Sequence, residues 1–166
     1  MKPKKGLDGL KLVVLDLASK DDVMWVFEEN KIDRCIHLAV LTHTKGVADT
    51  SFEAFKKVNV DMAENVFEAC AKHDVPVLFI STVDAIGMVK GIITPETELN
   101  PISNYGKSKA MAECRLKEIC KVWSIYHFSP VYTQDVKRDI EKRYCLKYHN
   151  LAYLIGGGQQ FEVLDG

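Results

Sequence analysis

No apolar run in the 166-residue chain approaches the ~20 residues that a membrane-spanning helix needs, and Met1-Lys2-Pro3-Lys4-Lys5 leads into no signal-like apolar segment. A cytosolic location is the expectation. Charge of one sign is equally scarce. The 22 Lys and Arg against 23 Asp and Glu leave a net charge of −1, so no basic stripe marks a nucleic-acid partner and no polybasic segment marks a membrane surface. The five cysteines (Cys35, Cys70, Cys114, Cys120, Cys145) are odd in number and never spaced Cys-x-x-Cys. They read as free thiols in a reducing compartment, not as a disulfide framework or zinc site. His37, His43, His73, His127 and His149 show no metal-ligand spacing either. A phosphate-cradling glycine loop is also missing. Gly6 and Gly9 precede a strand, and Gly156-Gly157-Gly158 is followed by strand-like sequence instead of the helix whose N-terminus would hold an anion.

What is present is 47% hydrophobic, enough for one domain with a sizeable core. Leu10 to Leu17 reads as a strand ending at Asp16. Ser19 then caps a helix over residues 21–30 that buries Val23, Val26 and Phe27. Residues 34–40 lack polar alternation, as suits a parallel strand covered on both faces, so strand, helix and strand form a βαβ unit. From Ser51 to about His73, Phe52, Phe55, Val58, Met62, Val66, Phe67 and Cys70 recur at helical spacing, with Asn59 beside the stripe. Asn59 there is either a local hydrogen-bonding residue or a site residue. Residues 75–82 form the third strand, and a loop with Pro95 and Pro101 leads to the next helix. A fourth strand spans about Trp123 to Ser129. A charged helix over about 134–144 and a strand–glycine turn–strand ending at Leu164 complete the reading.

The chain turns on Ser103-Asn104-Tyr105-Gly106-Lys107-Ser108-Lys109, where a tyrosine and a lysine four positions apart share one face of a helix near its start. A phenol ionises near pH ~10, so it acts as a base near neutrality only if a neighbour stabilises its anion. Lys109 is the candidate neighbour, and its ammonium also suits the hydroxyls of a nucleotide ribose. The same pair arises by chance on solvated helices, so the surrounding residues decide.

Tyr105-Gly106-Lys107-Ser108-Lys109, with Pro101, Ser103 and Ala112-Glu113, resembles the signature of the extended short-chain dehydrogenase/reductases, the NAD-dependent epimerase/dehydratase family. The resemblance implies a partial Rossmann-like α/β fold: a mainly parallel sheet with helices on both faces and a short C-terminal hairpin. It assigns acid–base chemistry to Tyr105, the cofactor ribose to Lys109, and polarisation of the substrate oxygen to Thr82, with Ser81 the alternative. Asp16 and Leu17 resemble the adenine-bounding end of a family strand, and Leu38 and Ala39 follow His37 in the motif beneath the cofactor. Asn59 falls where the family places a helix asparagine. Phe128 joins the cofactor set, and Ser129 stands where the nucleotide-sugar enzymes carry asparagine, so Ser81 and Ser129 are the substrate-side candidates. The cofactor implied is NAD or NADP, and the partner a small-molecule substrate.

Three departures qualify the resemblance. Val83 replaces the first of the acidic pair that dehydratases carry after the threonine, leaving Asp84 alone. The usual Arg and Asn are missing between Tyr126 and Tyr132, which weakens a nucleotide-sugar substrate. The Gly-x-x-Gly-x-x-Gly loop and the first two strands are absent, which reads as an internal piece of a longer enzyme. Residues 1–132 then form a partial NAD(P)-binding domain, and 133–166 begin the substrate region. The expectation is weak or no dinucleotide binding by the chain itself. The strand ending at Asp16 is expected to pair directly with the strand at 34–39 in a sheet of about four strands, with Asp16 displaced from the adenine position. An exposed edge that recruits a second copy as a homodimer is the alternative. Two functions follow: an oxidoreductase or epimerase using Tyr105, Lys109 and Thr82, or a catalytically inactive module for interaction or regulation.

Overall fold

The computed structural model describes residues 10–42 and 51–129, together with the backbone of four two-residue strands further on. Ser19 caps α1 (Lys20–Glu29) by accepting the amide of Asp22 at 3.2 Å, and Asp21 and Asp22 place negative charge where the helix dipole favours it. The expected long helix forms in three joined pieces: α2 (Phe52–Lys56), a π-helical turn (Lys57–Asp61) and α3 (Met62–Lys72). On α3 the apolar stripe of Ala63, Val66, Phe67, Ala69 and Cys70 is buried.

The main sheet is parallel and three-stranded, with β1 (Cys35–His37), β2 (Val77–Thr82) and β3 (Trp123–Phe128) in that spatial order. Register pairs Cys35 with Val77 and Ser81 with His127. Along β2 the side chains of Val77, Phe79 and Ser81 are buried and alternate with half-buried Leu78, Ile80 and Thr82. Phe79 meets Phe67 of α3 edge-on at 5.7 Å, and full burial of each ring stabilises the fold by about 2–3 kcal/mol. Val23 of α1 and Ala112 and Leu116 of α5 (Asn104–Ile119) join the same core.

The sheet therefore has its helices α1, α3 and α5 on one face. Helices on both faces were expected, but on the other face Ile36, Leu38, Tyr126 and Phe128 remain between 40% and 66% exposed among the described residues.

The expected first strand does not form. Residues 10–17 alternate half-buried Val13, Leu15 and Leu17 with exposed Leu12, Val14 and Asp16, yet they enter no ladder and leave a three-stranded main sheet instead of about four strands. Leu15 and Leu17 pack on the helix-side core, and Asn65 of α3 donates its amide to the Leu17 carbonyl at 2.8 Å. Those contacts pull the segment onto α3 instead of the edge of β1, which corrects the expected pairing with residues 34–39.

In the C-terminal part, β4 (Val131–Tyr132) pairs in parallel with β7 (Leu164–Asp165), and β5 (Cys145–Leu146) forms a short antiparallel hairpin with β6 (Leu151–Ala152). The helix at 134–144 and the Gly156–Gly158 turn lie outside the described residues.

Candidate active site

The carboxyl ends of the strands are where open α/β sheets gather their chemistry. Here β2 ends at Thr82, which is also the N-cap of α4 (Val83–Ile86): its hydroxyl accepts the Asp84 amide at 3.2 Å. That bond leaves the hydroxyl hydrogen to donate. Gly87 then closes the turn at φ +80°, where an added Cβ would stand 2.1 Å from the Asn100 carbonyl oxygen. Backbone there runs too close for any side chain.

Helix α5 starts against this turn. Ser103 caps it, accepting the Gly106 amide at 2.9 Å while donating its own hydroxyl to Asp84 Oδ2 at 2.9 Å. A Cβ on Gly106 would stand 2.3 Å from the Asp84 carbonyl oxygen, so only glycine lets the first turn of α5 close onto α4. This contact brings Tyr105 beside Asp84. The half-buried phenol packs its ring on Phe55, centroids 5.9 Å apart. Burial, then the Asp84 carboxylate, holds its pKa above the ordinary value.

Lys109 lies one turn further on, 3% exposed. Its Nζ donates to the Ile80 carbonyl at 2.7 Å and stands 3.8 Å from the centre of the Phe79 ring. Burial lowers its pKa to about 8, opposed by the charge of Glu113. The Tyr105 pKa moves up, and the Lys109 ammonium faces strand backbone and an aromatic ring.

Asn59 is 2% exposed in the π-helical turn, whose extra residue swings the amide inward. Its Oδ1 accepts the Leu41 amide at 2.7 Å, and its Nδ2 donates to the Leu41 carbonyl at 3.1 Å and to Ser108 Oγ at 2.9 Å. Ser108 in turn donates to the Tyr105 carbonyl at 2.7 Å. Asn59 thus ties the segment after β1 to the helix bearing Tyr105.

The remaining candidates are spread along the same edge. Leu38 and Ala39 are exposed just past β1. Phe128 is in register with Thr82 at the end of β3, and Ser129 is half-buried beyond it. Asp16 is exposed, its carboxylate accepting the Ala18 amide of its own turn at 2.9 Å, and Leu17 is half-buried on the helix side. Ser81 points the opposite way from Thr82. It is 4% exposed and donates its hydroxyl to Glu113, so the core takes the group proposed for substrate.

Sequence reasoning missed the partners behind this edge. Glu113 is 1% exposed and lies at 3.0 Å through both carboxylate oxygens from His127 Nε2. Tyr105, Lys109 and Glu113 are spaced by four, a legible same-face signal. His127 carries no such signal, because only strand register sets it beside Ser81.

His37 is also inside, 5% exposed, stacked on Phe79 at 5.7 Å and edge-on to Phe67 at 5.6 Å. Its Nε2 has no hydrogen-bond partner among the described residues. Burial first, then the charge of Lys109, lowers its pKa from 6.5 to about 4. The unfolded chain therefore binds more protons than the folded one between those values, and stability falls as pH drops through that window. Acidification from pH ~7 to ~4 is expected to cost the wild type about 3 kcal/mol more than His37→Phe. Urea unfolding at both pH values measures this, and equal losses would place the acid sensitivity elsewhere.

Known proteins resemble this chain in sequence and in fold. A profile of the NAD dependent epimerase/dehydratase family matches residues 2–128. The uncharacterized UDP-glucose epimerase YtcB of Bacillus subtilis is 26% identical over 141 residues, 78% of this chain and 43% of that protein. The UDP-glucose 4-epimerase of Drosophila melanogaster is 31% identical over 130 residues, 70% of this chain and 36% of that protein. The chain thus spans less than half the length of these relatives. The Bordetella bronchiseptica enzyme WbmG, solved in complex with NAD and UDP, superposes with a TM-score of 0.65 at 20% identity, over 76% of this chain and 40% of that one. The likeness to WbmG shows the Rossmann-like fold, and with the profile match across most of its length the chain belongs to the NAD-dependent epimerase/dehydratase family.

Proposed function

We propose that the chain carries the proton-transfer centre of an NAD(P)-dependent oxidoreductase or epimerase acting on a hydroxyl or carbonyl of a small molecule, a sugar derivative by analogy with its relatives. The observation that carries this reading is the closure of α5 on α4 at Gly106, which gathers Thr82, Asp84 and Tyr105 at one end of the sheet. With its pKa held up, Tyr105 stays protonated near neutrality and serves as an acid toward a carbonyl oxygen. Thr82 donates to the same oxygen.

The donor set fits the ribose–nicotinamide end of a dinucleotide. Lys109 has three N–H donors and gives one to Ile80, so the others are chemically suited to ribose hydroxyls, with Tyr105 beside them. NAD(P), when bound, supplies or accepts the hydride.

The buried, inward-turned Lys109 favours a second reading, a catalytically inactive module for interaction or regulation. Titration of the chain with NADH and with NADPH, followed by nicotinamide fluorescence, separates the two. The first reading expects weak saturable binding that Lys109→Met lowers further. No saturable binding, or equal binding by both proteins, supports the inactive module.

A further inference from the structure

The face of the main sheet turned away from α1, α3 and α5 stays open among the described residues. Strand alternation directs onto it Ile36 and Leu38 at β1, half-buried Leu78 and Ile80 on β2, and Tyr126 and Phe128 on β3, their rings 6.4 Å apart. In the segment before α1, Leu12 and Val14 alternate with core-packed Leu15 and Leu17, which turns them to the same open side. Leu12, Val14, Ile36, Leu38, Tyr126 and Phe128 are between 40% and 89% exposed. They offer ~700 Å² of apolar surface, more than the largest patch of a typical monomer and close to the ~800 Å² that each partner brings to a standard interface. None of these positions carries a charge. Nothing on the face attracts a nucleic acid or an anionic membrane, and two identical faces meet without repulsion.

The two ends of the face differ in sign. Arg34 stands two positions before Ile36, at the amino end of β1, and is exposed. Asp16 stands two positions after Val14 and is exposed as well. The segment bearing Asp16 runs in the direction of β1. Lys11 donates to Asn30, at the end of α1 from which the chain enters β1, while Leu17 is held by Asn65 near the start of α3, whose far end leads into β2. Asp16 therefore lies at the carboxyl end of the sheet, and Arg34 at the amino end. Neither forms an ion pair among the described residues.

We propose that this face is an isologous dimer interface, on which a second copy of the chain lies sheet to sheet with its strands antiparallel. A two-fold axis in the plane of contact, across the strands, turns one sheet end for end on the other at the ~10 Å spacing of packed sheets. Arg34 of each copy then comes to the end where the other carries Asp16. A parallel arrangement would set Arg34 on Arg34 and Asp16 on Asp16, so the charges choose the antiparallel one. The interface centres on Ile36 and Tyr126, with Leu38 and Phe128 toward the carboxyl end.

Sedimentation equilibrium of the 166-residue chain over about 1–100 µM, the weak end of the affinities that an interface of this size supports, tests the proposal. The expected result is a monomer–dimer equilibrium. Ile36→Lys and Tyr126→Lys each bring a charge into the centre of the contact and raise the dissociation constant by at least about 10-fold, with the far-UV circular dichroism unchanged. Arg34→Glu and Asp16→Lys each raise it by about 3–10-fold, and the two together bring it back to within about 2-fold of the wild type. A monomer across the whole range, the result if another part of the same polypeptide covers the face, overturns the proposal. So does growth past the dimer, a dimer unaffected by Ile36→Lys and Tyr126→Lys, or a double charge swap that associates no more tightly than either single one.

Discussion

Tyr105→Phe is expected to lower turnover by about 10²–10⁴-fold, the usual worth of a positioned proton donor, while leaving dinucleotide affinity within about 2-fold. The ring keeps its packing on Phe55, so the variant loses the O–H and little else. Because the pKa of the phenol is raised by burial and by Asp84, the acid form is the resident one at neutral pH. The rate of carbonyl reduction should therefore hold up to a higher pH than an ordinary phenol allows. Asp84→Asn should bring that alkaline limit down, since it removes the carboxylate that opposes ionisation. Steady-state kinetics of catalytically competent protein across pH, with NADH and NADPH binding measured alongside, checks both parts. Turnover unchanged in the phenylalanine variant would remove Tyr105 from the chemistry.

The parts of this molecule that were legible in its sequence are those governed by local periodicity and capping. Ser19 announces α1, and the apolar run of 77–80 announces β2. The Tyr105 to Lys109 spacing placed both residues on α5. Periodicity failed where the outcome depended on a distant partner. Residues 10–17 alternate like a strand and are half-buried on one side as a strand would be, but Asn65 and the helix-side core hold them where no ladder forms. Lys109 shows the same limit at the site. Its spacing from Tyr105 was readable, yet its direction is set by the Ile80 carbonyl and the Phe79 ring on another element. The π-helical turn at Asn59 and the inward direction of Ser81 were equally invisible, because one depends on a change of helical pitch and the other on which face of β2 meets α5.

The same dependence on distant partners makes Glu113 the most sensitive point behind the site. Ser81 and His127 are register neighbours on β2 and β3, and both reach the one carboxylate that α5 sends into the core. That carboxylate fastens the two strands to the helix bearing Tyr105 and Lys109. His127→Leu leaves Glu113 buried with the Ser81 hydroxyl as its remaining hydrogen-bond donor among the described residues. Stranding one member of a buried pair costs about 3–5 kcal/mol. The His127 side chain is 27% exposed, so water reaches the gap and the lower end, about 3 kcal/mol, is expected. Glu113→Met removes the charge instead and costs less, chiefly the lost partner of Ser81, about 1–2 kcal/mol. The double variant Glu113→Met/His127→Leu should then be more stable than His127→Leu alone, because the carboxylate that lost its His127 partner is gone. Urea unfolding of the four proteins gives the coupling energy directly. Single losses that simply add in the double variant would mean that the carboxylate is solvated in the folded chain and does not fasten α5 to the sheet.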